Sequence, residues 1–153
     1  MNPNFNLLPE AVGDCRADSK QAILEALAAR FAEAYGLDSV PVLEGLEERE
    51  ALGSTGFGRG VAIPHARIDG LSRPCAALLR LEQPADFAAA DGMPVDLVFG
   101  LLSPSNAGIS HLHALAAISR LVRDEDIREA LLAAPDQEAL FALLTNATER
   151  DAA

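Results

Sequence analysis

Positive charge is scarce in this chain. Its 153 residues carry 12 Lys and Arg against 23 Asp and Glu, a formal net charge of −11. A nucleic-acid-binding surface needs clustered basic residues, so that class is excluded. An acidic surface supports solubility and can also meet a basic patch on a partner. No apolar run reaches the roughly 18 residues that a membrane-spanning helix needs, so no membrane insertion is expected. Cysteine is nearly absent too: Cys15 and Cys75 stand alone, without C-x-x-C spacing. In a cytosolic protein such residues are expected to be reduced and structural. The first residues, Met1-Asn-Pro-Asn-Phe-Asn-Leu-Leu8, lack the basic and apolar regions of a signal peptide. A cytoplasmic location is therefore expected.

What is present is the composition of a folded domain: half of the residues are apolar, and no low-complexity run interrupts them. One domain over residues 1–153, with an ordered core of about residues 5–146, is expected. Asp18 and Gln21 suggest a capping box. Ile23, Leu24, Leu27 and Phe31 follow at helical spacing up to Gly36. A second helix is expected from about Pro41 to Gly53. Val61–Ile63 reads as a short buried strand ending on Pro64-His65, and residues 75–81 and 95–102 as clearer strands. Residues 82–94 read as turn and loop with one short strand. Three helices follow, from near Ser110, from Asp124 to Ala133 and from about Asp136 to Leu144. The tail from Thr148 is expected to fray. Helices thus flank a block of strands, which predicts an α/β layer structure with one central sheet.

The segment Gly53-Ser-Thr-Gly-Phe-Gly-Arg-Gly60 leads into that short strand and His65. Glycines at 53, 56, 58 and 60 let the backbone bend closely around a small group. The segment is not a P-loop, because Arg59-Gly60 stands where Lys-Ser/Thr belongs. It is not a dinucleotide fingerprint, because a strand rather than a helix follows. A glycine loop with a presented imidazole suggests phosphate handled by a histidine. A mobile turn with an incidental histidine is the plainer alternative.

His111 and His113 open the helix near Ser110. Helical phase puts His111 with Leu115, Ile118 and Val122, facing inward. It puts His113 with Ala116, Ala117 and Arg120, facing solvent. An inward histidine is commonly a packing residue, but free N–H groups in the first turn also favour an anion. Arg49 falls on the stripe of Val42, Leu46 and Gly53, flanked by Glu47, Glu48 and Glu50. A guanidinium there either snorkels to a nearby Glu or reaches an anion beside His65. No metal is expected: one helix would point the rings of His111 and His113 apart, and no Cys or carboxylate falls at ligand spacing. Ser54, Thr55 and His65 could imitate a hydrolase set, but G-x-S-x-G is absent.

The run from Arg49-Glu-Ala-Leu through the glycine loop to Val61-Ala-Ile-Pro-His65 resembles the active-site signature of the fructose/mannitol class of enzyme IIA domains. These belong to the bacterial phosphoenolpyruvate-dependent phosphotransferase system. Asp86-Phe87, Asp91-Gly-Met-Pro-Val-Asp-Leu-Val-Phe99, Leu101-Leu-Ser-Pro104 and His111-Leu-His-Ala-Leu115 resemble the nitrogen-regulatory branch. The resemblance covers nearly the whole chain. Ala66-Arg67 departs from it, standing where many members carry Gly-Lys, but keeps a cation. The resemblance implies a mixed β-sheet sandwiched by helices, with His65 phosphorylated at Nε2 in a shallow cleft. It implies His111 and Arg49 as the other catalytic residues. Gly53, Ser54, Thr55, Gly56, Gly58 and Gly60 would form the phosphate-binding loop. The implied donor is an HPr-like phosphocarrier, and the implied regulated partners are proteins such as kinases or transporters. No cofactor is required, because a phosphohistidine donor is already activated. Two alternatives stay open: a sugar-type IIA that passes phosphate to a IIB domain, and a non-catalytic binding module.

Overall fold

Two runs of apolar residues alternate along the middle of the chain and bury both faces of one sheet. The computed structural model describes residues 4–152, and side chains over residues 4–148. A short 3-10 turn, Pro9–Ala11, enters β1 (Val12–Cys15). Two helices follow, α1 (Lys20–Tyr35) and α2 (Ser39–Ala51). The strands β2 (Gly56–Gly58), β3 (Val61–Ala62), β4 (His65–Ile68), β5 (Cys75–Ala85) and β6 (Val95–Pro104) come next. Three helices close the chain, α3 (Ile109–Arg123), α4 (Glu125–Ala133) and α5 (Gln137–Ala152).

The six strands form a mixed sheet in the order β1-β5-β6-β3-β2, with β4 also on β6. β5 and β6 are antiparallel, Leu78 opposite Phe99; β1 runs parallel to β5, and β3 and β4 parallel to β6. Side chains alternate across such strands. Cys75, Ala77, Leu79 and Leu81 of β5, with Val98 and Leu102 of β6, pack under α1 and α2. Ala76 and Leu78, with Leu97, Phe99 and Leu101, pack under the C-terminal helices. A Cβ on Gly100 would lie 2.8 Å from Leu27 Cδ1 and Phe31 Cε2. Glycine there lets α1 approach the sheet. Arg80 reaches off β5 to fasten the last turn of α4, donating from Nη1 to the Leu131 (2.9 Å) and Ala134 (2.6 Å) carbonyls.

Several expectations are corrected. The cap of α1 is Ser19, whose Oγ accepts from Ala22 N, rather than Asp18 with Gln21. α2 begins two residues before Pro41, capped by Asp38. β1 went unread, and no separate short strand lies between β5 and β6; β5 itself runs on to Ala85. The tail does not fray at Thr148: α5 continues to Ala152, and Thr148 is buried with its hydroxyl donating to the Thr145 carbonyl. The side chains from residue 149 on, and Ala153, lie outside the described residues.

Candidate active site

β3 and β4 are two pieces of one line beside β6. The line breaks at Ile63-Pro64, where proline has no N–H to give the ladder. Pairing resumes at once, with Leu101 N donating to the Pro64 carbonyl at 3.0 Å. His65 therefore opens a second strand piece instead of ending the first. Ala66 and Ile68 pack under α2, so His65 and Arg67 project to the opposite face. A cleft of about 430 Å³ opens here between α2 and the start of α3. Gly45, Glu48, Arg49, Leu52, His65, Ala66, Arg67 and His111 line it.

A hydrogen bond orients the His65 ring: its Nδ1 lies 2.8 Å from the Ile63 carbonyl. A carbonyl only accepts, so Nδ1 carries the proton and Nε2 keeps the lone pair. Burial lowers the pKa of His65. The Ile63 hydrogen bond raises it, Arg49 and Arg67 lower it, and Glu50 raises it. The net direction is down, so the ring is neutral near pH 7. His111 is buried, with Nδ1 2.6 Å from the hydroxyl of the fully buried Ser103. Burial first, then Arg67 and His65, push its pKa down to about 4. The two rings face each other with centroids 5.7 Å apart. His113 points to solvent, as helical phase expects, although Ala117 of its expected face is buried.

Arg49 is half-exposed, and its Nη1 donates to the Gly53 carbonyl at 2.8 Å. The inward position on α2 belongs to its neighbour Glu50, buried beside Val42 and Leu46. Both residues fit the stripe by spacing, one at i+3 and one at i+4 from Leu46. Partners decide between them. Glu50 accepts from Thr55 N (3.0 Å) and Thr55 Oγ1, and faces Lys20 Nζ at 2.9 Å. Arg67, absent from the expected catalytic set, also lines the cleft. Its Nε donates to the Ala107 carbonyl at 3.2 Å, leaving its terminal nitrogens for the cleft. Period-two alternation from His65 would have found it, had the strand been carried past Pro64.

The glycine segment does not converge on the cleft. The N–H of Gly53 donates to the Glu50 carbonyl, that of Thr55 to the Glu50 carboxylate, and that of Gly56 to Ser54 Oγ. Ser54 Oγ in turn donates to the Phe87 carbonyl at 2.7 Å. A Cβ on Gly56 would sit 2.6 Å from Ala89 Cα, so this glycine admits the neighbouring loop rather than a ligand. Gly58 and Gly60, at φ 113° and 82°, lie against Asp91 and Asp96. The segment is a β2–β3 hairpin whose amides at residues 53, 55 and 56 are engaged within the protein. The structure brings together Arg49, His65, His111 and Arg67 instead. Among the described residues, no group of three or more His, Cys, Asp or Glu could hold a metal ion.

Two neutral imidazoles and two guanidiniums line one cleft at the mouth of the sheet, a setting that favours an anionic group. Residues 11–147 match the family described as "Phosphoenolpyruvate-dependent sugar phosphotransferase system, EIIA 2". The chain belongs to this family. A "Nitrogen regulatory protein" of Bradyrhizobium diazoefficiens is 46% identical over 137 residues, 89% of this chain and 90% of that one. The crystal structure of the nitrogen regulatory protein IIA-Ntr from Neisseria meningitidis superposes with a TM-score of 0.83. It shares 37% identity, covering 90% of this chain and 95% of that one. The mannitol IIA of Escherichia coli superposes at 0.76 with 19% identity, over 92% and 99% of the two chains, a likeness that speaks to the fold alone. The mixed sheet sandwiched by helices is thus the mannitol-type IIA fold, and family membership implies phosphotransferase activity in general. Among the described residues, no helix is long and apolar enough to cross a membrane.

Proposed function

We propose that this IIA-family chain accepts a phosphoryl group from the phosphohistidine of a small HPr-like carrier, onto Nε2 of His65. As a nitrogen-related regulator in the cytoplasm, it would then bind or release partners such as kinases or transporters according to its phosphorylation. The observation that carries the reading is the tie from His65 Nδ1 to the Ile63 carbonyl. It leaves Nε2 as the nucleophilic nitrogen, in a cleft that also holds Arg49, Arg67 and His111. The relatives named nitrogen regulatory protein support the regulatory part.

In the transfer, the Nε2 lone pair forms a bond to phosphorus while the bond to the donor nitrogen breaks. The electron pair of the broken bond returns to the donor ring. Positioning and charge supply most of the catalysis in such a step. Arg49 and Arg67 offset charge on the equatorial oxygens, and His111 donates from Nε2 in the tautomer whose Nδ1 accepts from the Ser103 hydroxyl. Positive charge growing on the His65 ring is relieved at Nδ1–H by the Ile63 carbonyl. The added phosphoryl brings negative charge and three acceptor oxygens to the cleft mouth, enough to change which surfaces dock there.

The test is incubation with carrier, its kinase and phosphoenolpyruvate, followed by intact mass. One phosphoryl group is expected, stable in alkali and lost in mild acid, and absent from His65→Ala. An alkali-labile, acid-stable adduct would point to Ser54 instead. A full phosphoryl group on His65→Ala would end the assignment.

A further inference from the structure

Glu50 is the one acidic or basic side chain on α2 that the fold buries, at 9% exposure. A buried carboxylate is costly unless donors surround it. Three do, from two directions: the N–H and hydroxyl of Thr55, and the ammonium of Lys20 at the start of α1. Two chains of contacts lead outward from this point. The Thr55 carbonyl accepts from Ile63 N at 2.9 Å, and the Ile63 carbonyl faces His65 Nδ1 at 2.8 Å. On the other side, the Glu50 carbonyl accepts from Gly53 N at 3.1 Å, and the Gly53 carbonyl accepts from Arg49 Nη1 at 2.8 Å. The turn at residues 53–55 is held at both ends by the same residue.

We infer that Glu50 is a positioning residue for both halves of the cleft. Through Thr55 and Ile63 it fixes the orientation and tautomer of the His65 ring; through the Gly53 turn it fixes the Arg49 guanidinium. The inference rests on the reading of His65 as the phosphoryl acceptor. Glu50 does not line the cleft; it acts through these neighbours and through its charge. The glycine segment then has a physical purpose other than an anion cradle. Its amides bind Glu50 and Ser54, and its carbonyls at residues 53 and 55 lead on to the two functional side chains.

Charge gives a readout that a plain structural tie would not move. The charged and titratable groups facing His65 are Glu48, Arg49 and Glu50 on α2, Arg67 on β4 and His111 on α3. Glu50 opposes the downward pull of Arg49 and Arg67 on the His65 ring. Glu50→Gln keeps the shape and an acceptor for Thr55 N but removes the charge.

The experiment is nitrogen NMR of the histidine rings of the full chain across pH, beside the rate of carrier-dependent phosphorylation. In Glu50→Gln the His65 midpoint should move down and its Nδ1–H tautomer should lose dominance. Misplacement of the reacting groups should slow transfer on the order of 100-fold. Glu50→Asp keeps the charge but not the reach; it should hold the midpoint near wild type and still slow transfer. A folded Glu50→Gln protein with wild-type midpoint, tautomer and rate would overturn the inference. Should Glu50→Gln fail to fold, Thr55→Val decides, since it removes one contact and leaves the charge. A shifted tautomer would support the inference, and an unchanged tautomer and rate would overturn it. If the wild-type chain takes no phosphoryl group at all, the acceptor reading fails, while the NMR arms still decide the positioning.

Discussion

Two clefts of nearly equal size differ in what their charges do. The His65 cleft measures about 430 Å³, and the cleft between Arg59, Asp91, Asp96, Glu125 and Arg128 about 440 Å³. Each holds two arginines. In the first, Arg49 and Arg67 face one carboxylate, Glu48, and donate to backbone carbonyls. In the second, Arg59 and Arg128 face three carboxylates; Arg59 Nη1 lies 3.1 Å from Glu125, and its N–H donates to Asp91. Size therefore does not pick out a phosphoryl site. Unmatched cationic charge beside neutral imidazoles favours the first cleft for the proposed transfer, because an anion gains in the first cleft and is repelled in the second.

Charge reversal in each cleft tests this difference most strongly. Arg67→Glu should slow carrier-dependent phosphorylation on the order of 1000-fold, the upper range for losing one preorganised donor. Arg59→Glu should leave the rate near wild type. Equal losses in two folded variants, measured by single-turnover transfer, would mean that the whole face and not one cleft receives the phosphoryl group.

A finer cut separates neighbours on α3. His111 lies in the first cleft and His113 outside both. His111→Ala should cost roughly 100-fold in transfer, as for loss of one oriented donor, and His113→Ala should cost nothing measurable. Quenched-flow rates on both variants, with circular dichroism as the check on folding, decide it. A loss in His113→Ala equal to that in His111→Ala would reject the helical-phase argument.

The contrast between these histidines was legible from spacing alone, because α3 is long and its apolar period is clean. The helices were legible for the same reason. Among the strands, β3, β5 and β6 were legible, but β1, β2 and β4 were not. β1 is four residues long with Gly13 in it, too short for a period to show. The β2–β3 hairpin is written in glycines, which fit a loop as well as a strand. Pro64 reads as a terminator, yet the sheet continues past it because β6 supplies the next partner to β4. That break hid Arg67. The exchange of Arg49 for Glu50 at the inward position had another cause. Helical spacing admits both, and the choice rests on Lys20 and Thr55, which are distant in sequence or outside the helix. Long-range partners carried the information that local pattern lacked.

The smallest expected effect concerns stability against pH, where the two clefts should pull in opposite directions. In the first, burial is the largest cause of the lowered pKa of both histidines, and His111 falls to about 4. An unfolded chain titrates its histidines near ~6.5. Between those values the unfolded state binds more protons, so acidification favours unfolding. Stability from this cleft is fully present above pH ~6.5 and is lost as pH falls toward the folded value. In the second cleft, burial raises the pKa of Asp96, with Arg128 opposing. Asp96 Oδ1 is buried without a hydrogen-bond partner among the described residues. The folded state takes up this proton first, so acidification relieves a cost that is present at neutral pH. Urea denaturation separates the two. His111→Gln should lose less stability than wild type between pH ~7 and ~4.5, since it removes a group that resists charging. Asp96→Asn should exceed wild type at neutral pH, and its advantage should shrink as the wild-type carboxyl becomes protonated. If His111→Gln follows the wild-type slope through that window, the acid sensitivity comes from carboxylates elsewhere. The imidazole of His111 would then be less shielded in solution than its contact with Ser103 implies.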